Sequence, residues 1–203
     1  MNIIMTGSTS FVGAATVREL LRRGHTVTAI VRPKSSKLDT ILEGNEEALL
    51  SGRLLVTEND LSEPEKLLEK VTKPQDVFCH FGWGGSGSAS RTDKALQEKN
   101  MDISLETIRT AKALGCKKFL FSGSQAEYGM HQDLITENTV CEPKSLYGEA
   151  KLAMREKGEK LCDELGLRYI HARIFSAYGP GDHPWTLVES CLDIFLSPAW
   201  THS

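Results

Sequence analysis

Three residues carry the side chains needed for proton transfer coupled to oxidation of an alcohol. Tyr147 and Lys151 are four residues apart in a segment with helical spacing, so both lie on one helix face. A phenol has a pKa near ~10, and a nearby ammonium or cationic nicotinamide ring favours its ionised form. Ser124 follows a predicted strand and can hydrogen-bond the same reacting oxygen. These residues predict a site in which Tyr147 exchanges a proton with a substrate hydroxyl or carbonyl while hydride passes between substrate and cofactor.

The first strand-to-helix turn has the spacing expected of a dinucleotide-binding site. Residues 6–13 read Thr-Gly-Ser-Thr-Ser-Phe-Val-Gly and connect an apolar run to a segment with helical spacing. Gly7 allows a tight turn, and free N–H groups at the helix N-terminus attract a pyrophosphate. Ser10 stands where glycine is usual, so we expect a slightly shifted phosphate to which its hydroxyl can donate. We expect Gly13 to let the helix pack close to the sheet.

The residue after the second predicted strand indicates which nicotinamide cofactor is preferred. An acidic residue there binds both ribose hydroxyls of NAD, but this chain has Arg32, with Lys34 and Lys37 following. A guanidinium can bind a 2′-phosphate through two hydrogen bonds and stack on adenine. The sequence therefore favours NADP(H), with NAD(H) as the alternative cofactor and a solvated basic loop as the alternative interpretation of the lysines.

Two further strand ends contribute to the expected cofactor site. Asp60 follows the third strand, where its carboxylate can accept from an adenine amino group or serve as a turn residue. Residues 80–85 follow the fourth strand, and their glycines allow ribose and phosphates to approach; we interpret His80 itself as structural. The expected cofactor-binding residues of these loops are Gly7, Ser10, Phe11, Val12, Arg32, Asp60, Leu61, Phe81, Gly82 and Trp83.

Strands and helices alternate along the chain. Apolar strands separated by helices predict an α/β fold, a doubly wound parallel sheet with helices on both faces and ligands at the carboxyl ends of the strands. Ser62 is expected to cap one helix, with Glu65 at the capping-box position. Predicted strands cover 2–6, 26–31, 54–57, 76–81, 117–122 and 167–174, and predicted helices cover 12–23, 38–50, 62–71, 93–114 and 145–165.

Composition excludes several classes of protein. The 203 residues carry a formal net charge of −3, with no basic cluster for nucleic acid and no apolar run of the ~20 residues that span a bilayer. Five scattered cysteines without a Cys-x-x-Cys pattern predict free thiols in a reducing compartment, not a disulfide framework or zinc site. We therefore expect a soluble cytoplasmic protein that binds small molecules, without a metal, nucleic-acid or membrane partner.

Taken in order, these motifs resemble the extended short-chain dehydrogenases/reductases, the NAD(P)-dependent epimerase/dehydratase family of nucleotide-sugar enzymes. The resemblance covers the chain to about Asp182. It rests on Thr6-Gly7-x-x-x-Phe11-Val12-Gly13, Asp60-Leu61, His80-Phe81-Gly82, Asn100, Ser122-Gly123-Ser124, Tyr128-Gly129, Tyr147-x-x-x-Lys151 and residues 173–181.

The resemblance implies a Rossmann fold, a nucleotide-sugar substrate and roles for individual residues. Tyr147 would be the acid/base, Lys151 would bind the nicotinamide ribose and tune Tyr147, and Ser124 would orient the reacting oxygen. Cofactor-site roles are also implied for Ser122, for Asn100, which would bridge backbone or distort its helix, and for Phe175, which would sit near the nicotinamide.

Departures from the family pattern narrow the expected reaction. Dehydratases of the family carry an Asp-Glu pair directly after the catalytic Ser or Thr, where this chain has Gln125 and Ala126. Glu127 is displaced by one position, and we interpret it as a structural or rim residue. We therefore expect epimerisation or simple carbonyl/hydroxyl redox. Ser176 stands where the family usually has an asparagine, and that asparagine contacts the substrate.

The C-terminal segment leaves alternatives open. Residues 1–182 are expected to form the cofactor-binding domain, and 183–203 the start of a substrate-binding part with a helix over 185–196 and a frayed tail. A chain truncated in this way is expected to bind cofactor with poor turnover, so the alternatives are an NADPH-dependent ketone reductase and a catalytically silent NADP-binding module. The helices at 93–114 and 145–165 are expected either to pair in a homodimer or only to cover the sheet.

Overall fold

Six parallel strands form one sheet in the computed structural model, which describes residues 1–85, 88–182, 186 and 188–191. The strands are β1 (Asn2–Thr6), β2 (Thr26–Val31), β3 (Leu54–Glu58), β4 (Val77–His80), β5 (Lys118–Ser124) and β6 (Arg168–Ile174). Their spatial order is β3-β2-β1-β4-β5-β6, with every neighbouring pair parallel. The order reverses between β1 and β4, which confirms the predicted doubly wound sheet and places a crevice at that point.

Helices cover both faces of this sheet. They are α1 (Phe11–Arg22), α2 (Asp39–Leu42), α3 (Glu46–Leu50), α4 (Leu67–Lys70), α5 (Lys94–Ala113) and α6 (Leu146–Leu165). Short 3₁₀ turns occupy Pro64–Lys66, Ser88–Thr92 and Gln125–Glu127. The side chains of Asp93 and Ser145 cap the two long helices by accepting hydrogen bonds from backbone N–H groups of their first turns.

The strands are apolar on both sides because each side faces a separate core. Ile4 packs with Ile108 of α5 and Met154 of α6 in one buried cluster. Its neighbours Ile3 and Met5 point to the opposite face and pack in a second cluster that includes residues of α1. Alternation along a strand therefore fills two layers of core at once.

Two predicted helices are wrong in the structure. The helix predicted for 38–50 is divided into α2 and α3, since Gly44 between them has a φ of 75°, which a helix cannot contain. The helix predicted for 62–71 is reduced to a 3₁₀ turn and α4. Ser62 does not cap it, because the Ser62 N–H and hydroxyl both donate to Asp60 Oδ1. The other predicted elements are confirmed with small shifts at their ends.

Several sequence predictions concern the remainder of the molecule. The segment 183–203, including the helix predicted for 185–196, lies outside the described residues apart from 186 and 188–191, so the division of the chain at 182 stays a prediction.

All five cysteines are free thiols. Within the described part of the chain, no helix has the length and apolar character to cross a membrane. Helices α5 and α6 pack on the sheet, and their pairing in a homodimer stays a prediction.

Gly13 in α1 has no room for a side chain, and this generates a test of the fold. A Cβ there would overlap the Gly7 carbonyl oxygen and lie 2.7 Å from Ser10 Oγ. We expect Gly13→Ala to lower the free energy of unfolding in urea by about 1–3 kcal/mol, the usual effect of overpacking. Ala15→Ser, at an exposed position of the same helix, should change it by less than about 0.5 kcal/mol. A Gly13→Ala protein as stable as wild type would contradict the tight turn.

Candidate cofactor and active site

Glycines let three strand ends meet closely at the crevice. Gly7 has a φ of 69°, and a Cβ there would lie 2.7 Å from the Phe81 carbonyl carbon. A Cβ on Gly82 would lie 2.8 Å from Leu61 Cδ1. The turn after β1 therefore packs directly on the loop after β4, which in turn packs on Leu61 of the loop after β3, and glycine permits both approaches.

A cleft of about 1460 Å³ opens where these loops meet. The N-terminus of α1 opens onto it, with the free N–H groups that suit a pyrophosphate. Arg18, Ser36 and Lys99 also line the cleft, although no motif had marked them. The predicted cofactor residues that line it are Gly7, Ser10, Phe11, Val12, Arg32, Asp60, Leu61, Phe81, Gly82, Trp83 and Asn100.

Ser10 lines the cleft but uses its hydroxyl within the turn. Its Oγ accepts from Gly13 N at 3.1 Å and donates to the Gly7 carbonyl at 2.7 Å. The hydroxyl is thus the N-cap of α1. Its one proton is engaged, so the expected donation to a phosphate does not occur in this arrangement. The sequence had led us to expect that Gly13 lets the helix pack close to the sheet. In the structure, the close contact of Gly13 is with the Gly7 carbonyl in the turn rather than with the body of the sheet.

The far end of the cleft carries charges of both signs. Asp60 Oδ1 accepts from Ser62, and these two hydrogen bonds lower the pKa of Asp60, with smaller contributions from Lys99 and Arg32. Asp60 is therefore both a turn residue and a carboxylate on the cleft wall. Arg32 is exposed at the end of β2, and Lys37 lines the same wall.

Two amides of α5 hold the loop after β4. Asn100 bridges the backbone of Gly84, donating to its carbonyl at 2.8 Å and accepting from its N–H at 3.0 Å. This is the backbone-bridging role that the family resemblance implied. Gln97, one helical turn earlier, accepts from Trp83 Nε1 at 3.0 Å and donates to the Ser90 carbonyl. Sequence reasoning missed Gln97, whose only signal was its place on the same helix face as Asn100.

The structure brings Ser124, Tyr147 and Lys151 together. Ser124 ends β5, while the Ser145 cap starts α6 so that Tyr147 lies in its first turn. The Ser124 hydroxyl lies close enough to the Tyr147 phenol to lower the pKa of that phenol. Lys151 Nζ lies 5.7 Å from the centre of the Tyr147 ring and donates to the Ser122 carbonyl at 2.8 Å. The end of one strand and the start of one helix thus supply all four residues.

Lys151 is almost completely buried, with 2% of its surface exposed. Its Nζ lies 3.9 Å from the centre of the Trp83 ring and 4.6 Å from that of Phe121, both favourable cation–π positions. Burial lowers the pKa of Lys151 to about 7, and the negative charge of Glu127 opposes this shift. Near neutral pH, this side chain therefore populates both its neutral and its charged form.

The Tyr147 phenol keeps its proton at neutral pH. Burial raises its pKa, and this outweighs the lowering by the Ser124 hydrogen bond and by the Arg91 guanidinium, which lies 5.1 Å from the ring centre. The sequence had led us to expect that Lys151 would favour the phenolate. In this structure burial is the larger effect, so Tyr147 is arranged as a proton donor.

Trp83 stands between the cleft and the acid–base residues. Its ring lines the cleft and also packs edge-on against Tyr147, with the ring centres 6.3 Å apart. Among the described residues, Ser124, Tyr147 and Lys151 are not part of the cleft wall, nor is Phe175. Phe175 lies against Tyr128 and is 46% exposed, and its expected place near the nicotinamide stays a prediction. The ring of Trp83 is the contact that joins the two halves of the site.

His80 is structural, as the sequence indicated. The ring is fully buried, with Nδ1 2.9 Å from Thr6 Oγ1 and Nε2 3.1 Å from Ser104 Oγ. Burial lowers its pKa to about 3, and Lys151 adds to this effect. The imidazole is therefore neutral and connects β1, β4 and α5.

Glu127 is fully buried, which excludes its interpretation as a rim residue and leaves the structural one. Its carboxylate accepts from Ser124 N and from Arg173 Nε, each at 2.7 Å, and from His171 Nε2 at 2.9 Å. Sequence reasoning gave His171 no role. The one available signal was that His171 and Arg173 alternate along β6 and so share a face of the sheet.

The described residues suit a bound dinucleotide. A Cβ would fill the space at Gly7 and Gly82, the N-terminus of α1 faces the cleft, and the cleft extends from Trp83 to Arg32. These are features of a site that holds a pyrophosphate between two nucleosides.

Known proteins are similar to this chain in sequence. The family model described as "NAD dependent epimerase/dehydratase family" matches residues 3–198. D-erythronate dehydrogenase of Cupriavidus necator is 30% identical over 178 residues, covering 86% of this chain and 53% of that protein. The dTDP-6-deoxy-L-talose 4-dehydrogenase (NAD(+)) of Aggregatibacter actinomycetemcomitans is 30% identical over 175 residues, covering 84% of this chain and 60% of that protein. The chain therefore spans between half and two thirds of these relatives.

Solved structures agree with the sequence relatives. UDP-glucose 4-epimerase of Thermotoga maritima, determined with UDP-glucose, superposes with a TM-score of 0.75 at 26% identity and covers 92% of this chain and 59% of its own. The UDP-glucose 4-epimerase of Thermus thermophilus, in complex with NAD, has a TM-score of 0.77 at 21% identity, covers 96% of this chain and 61% of its own, and supports the fold. Since the family model spans nearly the whole sequence, the chain belongs to the NAD dependent epimerase/dehydratase family.

Proposed function

We propose that the protein is an NADP(H)-dependent oxidoreductase that moves hydride reversibly to or from a carbon of a nucleotide-linked sugar. The observation that carries this proposal is that Ser124 and Lys151 both lie near Tyr147, next to the Trp83 ring at the edge of the cleft. The relative named for dTDP-6-deoxy-L-talose supports a nucleotide-linked sugar as the substrate.

The chain's own residues supply the proton and orient the substrate. A bound nicotinamide would supply or accept the hydride. In reduction, the carbonyl carbon gains hydride while its oxygen takes the proton of the Tyr147 phenol, which leaves a tyrosinate. The Ser124 hydroxyl, which lies beside the phenol, and the charged form of Lys151 stabilise that tyrosinate until water returns its proton. Oxidation runs through the same groups in reverse.

The residues after Ser124 favour redox or epimerisation over dehydration. Elimination of water needs an acid and a base beside the reacting carbon, and Gln125 and Ala126 offer neither. The Glu127 carboxylate is engaged by three donors and turned toward β6. It therefore has no free oxygen to serve as the missing acid or base.

Arg32 supports NADP(H) as the cofactor. A 2′-phosphate would place its negative charge at the end of β2, where Arg32 and Lys37 line the cleft. Relatives and neighbours are named for NAD, so this preference distinguishes the chain from them.

A small hydroxy acid or ketone is the second candidate substrate. D-erythronate dehydrogenase, a relative at 30% identity, is named for a substrate without a nucleotide. The same Tyr147 chemistry serves either substrate, and the two candidates differ in whether turnover requires the nucleotide.

Cofactor preference is tested by titrating NADPH and NADH separately and following protein fluorescence. We expect tighter binding of NADPH, and a roughly 10- to 100-fold loss of that affinity in Arg32→Ala, the usual effect of losing a charged hydrogen-bonded pair. NADH affinity should stay within about twofold. Arg22→Ala, which removes an exposed arginine paired with Glu19, should change neither. Equal affinities of wild type for the two cofactors would refute the role of Arg32.

The role of Tyr147 is tested by Tyr147→Phe. Loss of the general acid should lower kcat by about 10²–10⁴, while NADPH affinity stays close to that of wild type because the ring is kept. Initial rates are measured with nucleotide sugars and with small ketones and hydroxy acids, and affinity is measured by fluorescence. Wild type that binds NADPH but turns over none of these substrates would support the silent-module alternative instead.

The burial of Lys151 predicts how stability depends on pH. Its pKa is about 7 in the folded protein against 10.5 without the protein environment, so between these values the unfolded chain binds more protons. Stability should therefore rise with pH in this window, by at most about 1.4 kcal/mol per pH unit from this group. Comparing urea unfolding of wild type and Lys151→Met between pH 7 and 8.5 isolates the effect.

The expected result is a shallower pH slope in Lys151→Met than in wild type. Lys157→Met, at an exposed position of the same helix, is the matched control and should keep the wild-type slope. Parallel slopes for wild type and Lys151→Met would show that Lys151 is not desolvated.

A further inference from the structure

We propose that Glu127 is a positioning residue that holds Ser124 beside Tyr147, and that hydrogen bonds from His171 and Arg173 fix Glu127 in turn. The inference rests on the proposed function, which assigns Ser124 and Tyr147 to proton transfer. It adds residues of β6, on the side of Ser124 away from the cleft, to the machinery of the site.

The Glu127 carboxylate is satisfied on every side. One oxygen accepts from Ser124 N at 2.7 Å and the other from Arg173 Nε at 2.7 Å, while His171 Nε2 lies 2.9 and 3.0 Å from the two oxygens. The side chain has no exposed surface. A buried carboxylate is stable only when it is paired and hydrogen-bonded, so its position is tightly constrained.

Ser124 is held through both its backbone and its side chain. Its N–H donates to Glu127, and its hydroxyl oxygen accepts from Ala126 N at 3.2 Å, which forms a capping box on the 3₁₀ turn. A hydroxyl has one proton, and here that proton remains for the Tyr147 phenol. The capping box therefore sets the direction in which Ser124 donates.

Gly123 makes this arrangement sterically feasible. A Cβ at Gly123 would lie 2.5 Å from His171 Nε2 and 2.6 Å from Glu127 Oε1. The absence of a side chain there lets His171 and Glu127 lie directly against the end of β5. This explains why the residue beside Ser124 is a glycine.

Hydrogen bonds also fix the orientation of the His171 ring. Its Nε2 donates to Glu127, because a carboxylate only accepts. Its Nδ1 lies 3.1 Å from the Tyr169 hydroxyl, which in turn lies 3.0 Å from the Met154 carbonyl. The ring is therefore held between Glu127 and Tyr169.

Other polar groups complete the surroundings of the cluster. Arg173 Nη1 donates to the Tyr128 hydroxyl at 2.7 Å, and Nη2 lies 3.3 Å from Cys141 Sγ. On the opposite side, the charge of Glu127 raises the pKa of both Tyr147 and Lys151. The carboxylate therefore favours the protonated forms of the two groups that the proposed reaction uses.

The test compares Glu127→Gln and Glu127→Ala with Glu98→Gln, a control that removes an exposed carboxylate of α5. The first measurement is the Ser124 amide resonance by NMR, with its rate of hydrogen exchange. The short bond to a carboxylate should place the wild-type amide proton far downfield and protect it from exchange. Glu127→Gln, which keeps an amide oxygen, should shift it partly upfield, and Glu127→Ala should also remove the protection.

The second measurement separates positioning from a purely structural role. We expect kcat to fall roughly 10- to 100-fold in Glu127→Ala and less in Glu127→Gln, with KM and NADPH affinity within about twofold of wild type. Glu98→Gln should match wild type in all measurements. If Glu127→Ala does not fold, Glu127→Gln decides by the same two measurements.

Two results would overturn the inference: an unchanged Ser124 amide resonance in the Glu127 variants, or a changed resonance with an unchanged kcat. Wild type that turns over no substrate is a different result and counts against the proposed function. In that case the amide resonance alone decides whether Glu127 holds Ser124.

Discussion

The common direction of the six strands is the constraint on which the site depends. Because every strand is parallel, all six carboxyl ends lie at one edge of the sheet. The order reverses between β1 and β4, so the chain leaves these strands on opposite faces and a cleft opens between them. β4 also pairs with β5, which places Ser124 next to the loop that carries Trp83. Cofactor loops and acid–base residues are therefore neighbours although they are far apart in the sequence.

Burial of charge is the second organising feature of the site. Lys151 and Glu127 are both nearly inaccessible, and each is compensated by a different means. The ammonium has one carbonyl and two aromatic faces, which leaves its pKa near neutrality. The carboxylate has three hydrogen-bond donors, two of them on side chains of β6, of which one is the Arg173 guanidinium. Lys151 can therefore change its charge near neutral pH, whereas Glu127 keeps its negative charge.

The chain belongs to the NAD dependent epimerase/dehydratase family, is similar in fold to UDP-glucose 4-epimerases and is 30% identical in sequence to two dehydrogenases. Particular positions bear on the reaction expected of it. Arg32 stands where an acidic residue would suit NAD, and Gln125 and Ala126 stand where a dehydratase has carboxyls. Glu127 is displaced by one residue from these positions and faces β6. Its carboxylate therefore binds the Ser124 N–H and Arg173 rather than a substrate.

The sequence by itself determined the fold class, the loops of the cleft and the meeting of Ser124 with Tyr147 and Lys151. These depend on local patterns, namely apolar strands, a glycine turn before a helix and side chains four residues apart. Local patterns failed at 38–50 and 62–71, where Gly44 and the Asp60 turn interrupt a helical spacing. Only the tertiary structure decided the β6 partners of Glu127, which are 44 and 46 residues away, and the burial of Lys151 under Trp83. Such contacts join elements distant in the sequence, and the packing of whole helices and strands, not the spacing within any one of them, sets which side chains meet.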